Sequence, residues 1–266
     1  MSHLAAHLVL IGFLAVAFMM LVLWLIHLIT RNAAIVDVGW ACGLAMLAAI
    51  YAKWGTATPL RAGLIAAMGC IWGLRLGVYL LFTRVIGQPE EGRYVQLRKE
   101  WKTHVTLKFL AFFEFQALLC VVLSGPFLFP ALNRRADLSW VEFVGCGLWL
   151  AGMIGEATAD AQLSAFKKNP ASHGRTCRVG LWGYSRHPNY FFEWIIWMGL
   201  AVFALGSPLG FIGLLSPALI LYFLLRVTGI PATEAQALRT KGEDYREYQR
   251  TTSAFVPWFP RKRQTA

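Results

Sequence analysis

The chain reads as an all-α polytopic membrane protein with seven transmembrane helices, its N-terminus outside and its C-terminus cytoplasmic. Three observations lead there. Of its 266 residues 57% are hydrophobic and only 15% charged, too apolar for a soluble domain of this length. The apolar residues gather in runs near the roughly 20 residues that cross a bilayer, placed near 7–29, 34–51, 60–82, 108–130, 140–165, 189–206 and 209–228. The basic residues are unevenly shared between the intervening segments. Arg31, six residues in 83–108, five in 166–188 and eight in 226–266 make twenty on one face, against Lys53, Arg61, Arg134 and Arg135 on the other. Lys and Arg accumulate on the cytoplasmic side during insertion, so the richer face is cytoplasmic.

The first run, 7–29, has no basic residue before Arg31 and exceeds a signal-peptide core in length, so it is expected to be a retained helix. The second, 34–51, carries Asp37, the first acid of the chain. A carboxyl group in low dielectric is pushed towards its neutral form, in which it could donate a hydrogen bond to a substrate oxygen. The alternative is a structural ion pair with Arg75, since intramembrane charges commonly pair. The third run adds Arg75 and Tyr79, four residues apart and so on one helix face. In the fifth, Glu156 and Asp160 repeat that spacing before the helix runs on to Lys167 and Lys168 and stops at Asn169-Pro170. Acids there suit the hydroxyl or amide donors of a ligand, while the two lysines also fit a solvated helix end.

A Gly-punctuated loop follows, with Arg175 and Arg178, whose backbone amides and guanidinium forks could approach phosphate oxygens. Arginines in such a loop are also what the positive-inside bias alone produces. The segment Ser185-Arg186-His187-Pro188-Asn189-Tyr190-Phe191-Phe192-Glu193 then places Asn189 and Glu193 one turn apart where a polar loop enters an apolar run. An acid carried into a bilayer must pair, protonate or serve a ligand, which makes this a binding-site layout. The tail, with Glu234, Tyr245 and Arg246, reads as an amphipathic helix followed by an aromatic anchor, Phe255-Val256-Pro257-Trp258-Phe259. It suits either the membrane surface or closure over a cytoplasmic ligand.

Several classes are disfavoured. The net charge of +11 follows from the topology and from attraction to anionic headgroups, and no compact basic domain for nucleic acid is present. The five cysteines imply no disulfide framework, and His173, Cys177 and His187 lack metal-ligand spacing. No inverted repeat of the transporter kind is visible. A single transmembrane domain spanning 1–266 is expected, acting as a monomer.

Taken together, Arg186-His187-Pro188-Asn189-Tyr190 to Glu193, Gly242-Glu243-Asp244-Tyr245 to Tyr248 and Phe255-Val256-Pro257-Trp258 resemble the steroid 5α-reductase superfamily, specifically its bacterial membrane-protein branch. The resemblance covers roughly the whole chain and is strongest from Glu156 to Pro257. It implies seven transmembrane helices and NADPH bound from the cytoplasmic side, with 1–107 as substrate-side helices and 108–266 as the cofactor-binding region. It assigns cofactor binding to Glu156, Asp160, Lys167, Arg178, Asn189 and Glu193, and catalysis to Tyr79, preceded by Arg75; from the charges of the cytoplasmic face Arg175 and Arg246 are expected at the cofactor phosphates, and Glu234 and Tyr245 of the tail are expected to complete the cofactor site. The Gln-Glu pair of mammalian members has no counterpart here, and Asp37 is the candidate in that region.

The expected activity is a hydride transfer from NADPH to the C=C bond of a lipophilic 3-oxo-Δ4 steroid or similar enone, in a multi-pass protein of the bacterial inner membrane. The substrate would arrive from membrane lipid, and Asp37 and Tyr79 would stabilise the developing enolate. Relatives sharing the Arg-His-Pro-x-Tyr segment include the isoprenylcysteine carboxyl methyltransferases, so an S-adenosylmethionine-dependent methyltransferase is the alternative. A non-enzymatic transporter or lipid-binding bundle is the third reading.

Overall fold

The computed structural model describes residues 2–261, and the regular structure among them is helical. Eleven α-helices follow one another: α1 (Ser2–Thr30), α2 (Ile35–Trp54), α3 (Pro59–Leu80), α4 (Gly92–Trp101), α5 (Val105–Leu123), α6 (Gly125–Ala131), α7 (Trp140–Lys168), α8 (Pro188–Leu205), α9 (Leu215–Tyr222), α10 (Ile230–Lys241) and α11 (Glu243–Thr251). Helix α3 ends in a π-helical turn, Leu81–Val85, and α9 in another, Phe223–Val227.

Among the described residues six stretches are long and apolar enough to cross a membrane: His3–Thr30, Ile35–Trp54, Pro59–Val85, Val105–Leu123, Pro188–Leu205 and the run Gly210–Lys241. They make this an integral membrane protein. The expected run 140–165 does form a helix, α7, of 29 residues. It falls outside the six because Glu142, Glu156, Asp160, Lys167 and Lys168 dilute its apolar character. The expected span 108–130 divides at Ser124 into α5 and the short α6, where Gly125-Pro126 follows and the proline brings no N–H to continue the ladder. The single tail helix expected from the sequence is two, α10 and α11, hinged at Gly242 with φ +55°.

The chain forms two compact units that do not follow chain order. The first comprises Met1–Glu142 and Phe203–Ser216, the second Phe143–Val202 and Pro217–Ala266. In the first, α2 is the central helix, touching α1, α3, α5 and α6. Its closest neighbour is α3, which presents Gly69, Gly73 and Gly77 at four-residue spacing. A methyl group on Gly69 would lie 2.3 Å from Ala48 Cβ, one on Gly73 2.6 Å from the Ala41 carbonyl oxygen, and one on Gly77 2.9 Å from Cys42 Sγ. Small residues facing small residues bring two backbones together, which is how helices gain contact where lipid tails are as apolar as leucine.

A buried ion pair closes one end of this unit. Arg61, in the first turns of α3, and Glu142 are both fully buried and meet at 2.6 Å. The remaining Arg61 protons go to the carbonyls of Arg135 (2.6 Å) and Asp137 (2.8 Å), and Glu142 also accepts from the Ser139 N–H at 2.7 Å and its hydroxyl at 3.0 Å. With its protons satisfied, the guanidinium ties the 133–142 segment to α3. Arg61 is thus an interior residue, not the loop residue that the charge distribution suggested.

In the second unit α7 and α8 cross at a similar distance. A methyl on Gly199 would sit 2.4 Å from the Trp149 nitrogen, one on Gly152 2.8 Å from the Ile196 nitrogen, and one on Gly155 would overlap the Phe192 ring. The following loop docks on α7: the Leu181 N–H donates to Gln162 Oε1 at 2.9 Å and Trp182 Nε1 to the Ala159 carbonyl at 2.9 Å. The tail is sewn to the segment before α8 by Ser185 Oγ donating to the Phe255 carbonyl (2.8 Å), Arg186 N–H to Ser253 (2.8 Å) and Trp258 N–H to Tyr184 (2.9 Å).

Two predictions follow from this packing. Gly73→Val should destabilise the protein by about 1–3 kcal/mol through overpacking against backbone, whereas Gly63→Ala, with nothing within 4 Å, should leave the melting temperature unchanged or slightly raised. Arg61→Leu should cost roughly 3–5 kcal/mol by stranding Glu142, and the double replacement Arg61→Leu/Glu142→Leu should recover most of it; unfolding in detergent would measure both, and a double variant no better than the single would contradict the pairing.

Candidate functional site

The close approach of α7 and α8 decides what the acids of these two helices can do. Glu156 and Asp160 lie one turn apart on α7 and are both buried. Asn189 and Glu193 lie one turn apart on α8, half-buried. The glycine-mediated approach brings Asn189 Nδ2 to 3.5 Å from Asp160 Oδ1, a long contact. Asn189 Oδ1 accepts the Tyr190 N–H at 3.0 Å, and Glu193 Oε1 accepts Trp197 Nε1 at 2.9 Å. Two helices thus contribute three carboxyls and an amide, a set that offers acceptors to sugar hydroxyls and an amide to a carboxamide.

The Arg186-His187 half of the motif faces different partners. Glu234 on α10 receives Arg186 Nε at 2.7 Å, His187 Nε2 at 3.2 Å and Gln249 Nε2 at 2.7 Å. A second Arg186 nitrogen donates to the Gln249 and Thr252 carbonyls at 3.0 and 2.6 Å, capping the end of α11, where cations are favoured. His187 stacks on Tyr190 with ring centroids 5.3 Å apart and nearly parallel planes. Tyr245 is buried beside this group; burial pushes its phenol up, and the Glu234 carboxylate pushes it further. Glu234 and Tyr245, expected to bind cofactor, therefore stand in a hub that joins the 185–190 segment to α10 and α11.

The basic residues expected to meet phosphate divide in two. Arg178 donates to Asp244 Oδ1 at 3.0 Å and to the Asp244 carbonyl at 2.8 Å, reaches Glu247 at 3.4 Å and lies over the Tyr248 ring. Arg246 pairs with Glu243 at 3.2 Å on the surface. Arg175 and Lys167 are exposed. Arg175, Thr176, Arg178, Asp244, Phe166 and Gly174 border an open depression of about 500 Å³. In it the Thr176 N–H donates to Asp244 at 2.7 Å, while the buried Thr176 hydroxyl makes no hydrogen bond. The Thr176 hydroxyl, Arg175 and Arg178 line one depression, a set of donors that fits a phosphate oxygen.

The two catalytic candidates belong to the first unit and the cofactor candidates to the second. Asp37 sits in the first turn of α2, where a negative charge is favoured by the helix dipole. Its oxygens accept from Arg93, from Arg84 at 3.3 Å and from the buried Tyr94 hydroxyl at 2.8 Å. Glu91 pairs with the same two arginines at 3.1 and 3.5 Å, and Glu90 holds Arg98 at 2.8 Å and the Ala33 N–H at 2.8 Å. Asp37 is thus an acceptor in a charge network that fastens the 84–98 segment to the start of α2, with Arg84 and Arg93 as partners rather than Arg75. That geometry differs from the neutral donor expected in an apolar span. Tyr79 stands on α3 four residues after Arg75, half-buried, as the spacing required.

Sequence reasoning missed Tyr94, Arg93 and Glu91. Their signal was the close alternation of charge in Glu90-Glu91-Gly92-Arg93, which the positive-inside count treated as arginines alone.

The clamp of Asp244 on the 176–178 loop should depend on pH. Burial pushes its carboxyl up, but Thr176 and the Arg178 guanidinium outweigh this and hold it below the ordinary carboxylate range. A lowered folded-state value means that the contribution is present above the unfolded value, about 4, and disappears as pH falls through the folded one. Wild type should therefore melt above Asp244→Asn at neutral pH, with the difference shrinking as the pH falls through the lowered folded-state value; a pH-independent difference would contradict this.

A family model described as a protein of unknown function, DUF1295, matches residues 23–252, and the chain belongs to that family. No curated protein and no solved structure matches it.

Proposed function

We propose that this DUF1295-family membrane protein is an NADPH-dependent reductase of the C=C bond in a lipophilic 3-oxo-Δ4 steroid or similar enone. The observation that carries this reading is the convergence of Asp160 and Asn189, with Glu156 and Glu193 one turn away on the same two helices, in the pattern that the reductase resemblance assigns to cofactor binding. With α7 counted as a seventh span and Arg61 set aside as an interior residue, the bias of twenty basic residues against Lys53, Arg134 and Arg135 supports an external N-terminus, a cytoplasmic C-terminus and an inner-membrane location with the cofactor face inward.

NADPH, when bound, would supply the hydride that reduces the β-carbon of the enone, and a proton drawn from solvent would then add at the α-carbon to give the saturated ketone. Asn189 and Asp160 orient the nucleoside end through their amide and carboxyl groups, and Glu156 and Glu193 accept from hydroxyl or amide protons. The Thr176 hydroxyl, Arg175, Arg178, Arg246 and Lys167 hold phosphate oxygens; Arg178 and Arg246 must share themselves with Asp244 and Glu243 to do so. Glu234 and Tyr245 keep the 185–190 segment in register. Tyr79 donates to the substrate carbonyl oxygen and stabilises the charge that develops there, while Asp37, as an acceptor for Arg84, Arg93 and Tyr94, fixes the 84–98 segment.

One observation favours a second reading, an S-adenosylmethionine-dependent methyltransferase. Two of the predicted phosphate-binding arginines already carry carboxylates, and an acid-rich cluster suits ribose hydroxyls and a cationic sulfonium ligand without requiring phosphate.

Thermal melting of the purified protein with NADPH, NADH or S-adenosylmethionine separates the two. A ligand present at about 100 times its Kd stabilises the folded state by about 2.7 kcal/mol. NADPH should raise the melting temperature, Glu193→Gln and Asn189→Ala should reduce that rise, and Tyr79→Phe should retain it while lowering kcat roughly 100-fold. Stabilisation by S-adenosylmethionine alone would transfer the assignment to methyl transfer, and full turnover in Tyr79→Phe would remove the phenol from catalysis.

A further inference from the structure

We infer that the C-terminal tail and the segment before α8 form a binding site for the headgroup of an anionic phospholipid. The site is a depression of about 390 Å³ bordered by Arg186, Arg250, Thr251, Ser253, Trp258 and Arg261, with no carboxylate among the residues lining it. Arg186 is already neutralised by Glu234. Arg250 is 71% exposed and reaches Glu243 at 3.3 Å, an exposed pair that is readily exchanged for a phosphate. The Arg261 N–H donates to the Thr251 carbonyl at 2.8 Å, which holds that arginine's backbone at the rim. The bordering groups thus include two available guanidinium groups, complementary to a phosphodiester, while the Thr251 hydroxyl is kept by the Glu247 carbonyl at 3.1 Å.

Position and aromatic character supply the second argument. Arg186 precedes by two residues the start of the candidate span Pro188–Leu205, so the depression lies where a helix enters apolar surroundings. On its rim Trp258 and Phe259 are 69% and 76% exposed and Val256 is 51% exposed. These side chains do not hang from a loose end. The Trp258 N–H is bonded to the Tyr184 carbonyl at 2.9 Å, Ser185 is bonded to Phe255, and the Phe259 ring stands edge-on to Tyr184 at 6.1 Å. A fixed outward aromatic pair beside arginines is the arrangement that sits at headgroup level, rings among the upper chains and cations at phosphate. A soluble acidic partner would match the arginines but leave the aromatic pair without a function.

The test uses the full-length protein in neutral detergent, titrated with equimolar phosphatidylglycerol and phosphatidylcholine and read by native mass spectrometry. Wild type should retain phosphatidylglycerol preferentially. Arg250→Ala/Arg261→Ala should lose roughly tenfold in that preference, Arg250→Lys/Arg261→Lys should keep most of it, and Arg134→Ala should leave it intact. Trp258→Ala/Phe259→Ala should weaken retention of both lipids. Equal retention by wild type and the double alanine variant would overturn the inference. So would displacement of the lipid by millimolar inorganic phosphate, which would mark a free-anion site. Unchanged melting of every variant in phosphatidylcholine alone confirms that lipid binding, not folding, is being read.

Discussion

Helices in a bilayer gain little by burying leucine against leucine, because the surrounding lipid offers the same contact. Association must come from backbones that approach closely enough for dispersion forces to count, and glycine permits that approach. The first unit depends on Gly69, Gly73 and Gly77 of α3 lying on the small residues of α2. The second depends on Gly152, Gly155 and Gly199, which let α7 and α8 cross with Phe192 pressed against Gly155. Asp160 and Asn189 meet because of that crossing. A larger side chain at any of these positions would move the polar groups before it touched them.

Polar groups then complete what the small residues begin, and they do so at helix ends. Arg61 with Glu142, Asp37 with Arg84 and Arg93, and Glu234 with Arg186 and His187 each join the start or finish of a helix to a distant segment. Each charge has several hydrogen-bond partners, the condition under which a desolvated ion pair does not cost more than it returns. The network at Asp37 and the hub at Glu234 are alike: in each, one carboxylate holds three hydrogen-bond donors.

Much of this was legible in the residues. Six of the seven expected runs lie on membrane-length apolar stretches, and the four-residue pairs Glu156/Asp160, Asn189/Glu193 and Arg75/Tyr79 fall on single helices because helical periodicity depends only on local spacing. What was not legible is what distant residues do to one another. Arg178 looks like a free phosphate ligand until α11 brings Asp244 and Glu247, 66 and 69 positions later, against it. Arg61 counts as a loop charge until Glu142 covers it. The charges within α7 lower its apolarity below that of its neighbours without preventing the helix, and the tail's break at Gly242 has no periodic signal, only a residue that tolerates a positive φ.

The burial of Arg61 has a consequence for biosynthesis. Its carboxylate partner lies 81 residues downstream, which at ribosomal speeds of 5–20 residues per second is a wait of roughly 4–16 seconds. During that interval α3 has left the ribosome with an unpaired guanidinium. The delay is longer still for the unit as a whole, since Asn133 donates to the Gly206 carbonyl and Ser216 to that of Leu123. The final packing of this unit is therefore completed only after the segment 203–216 has been made.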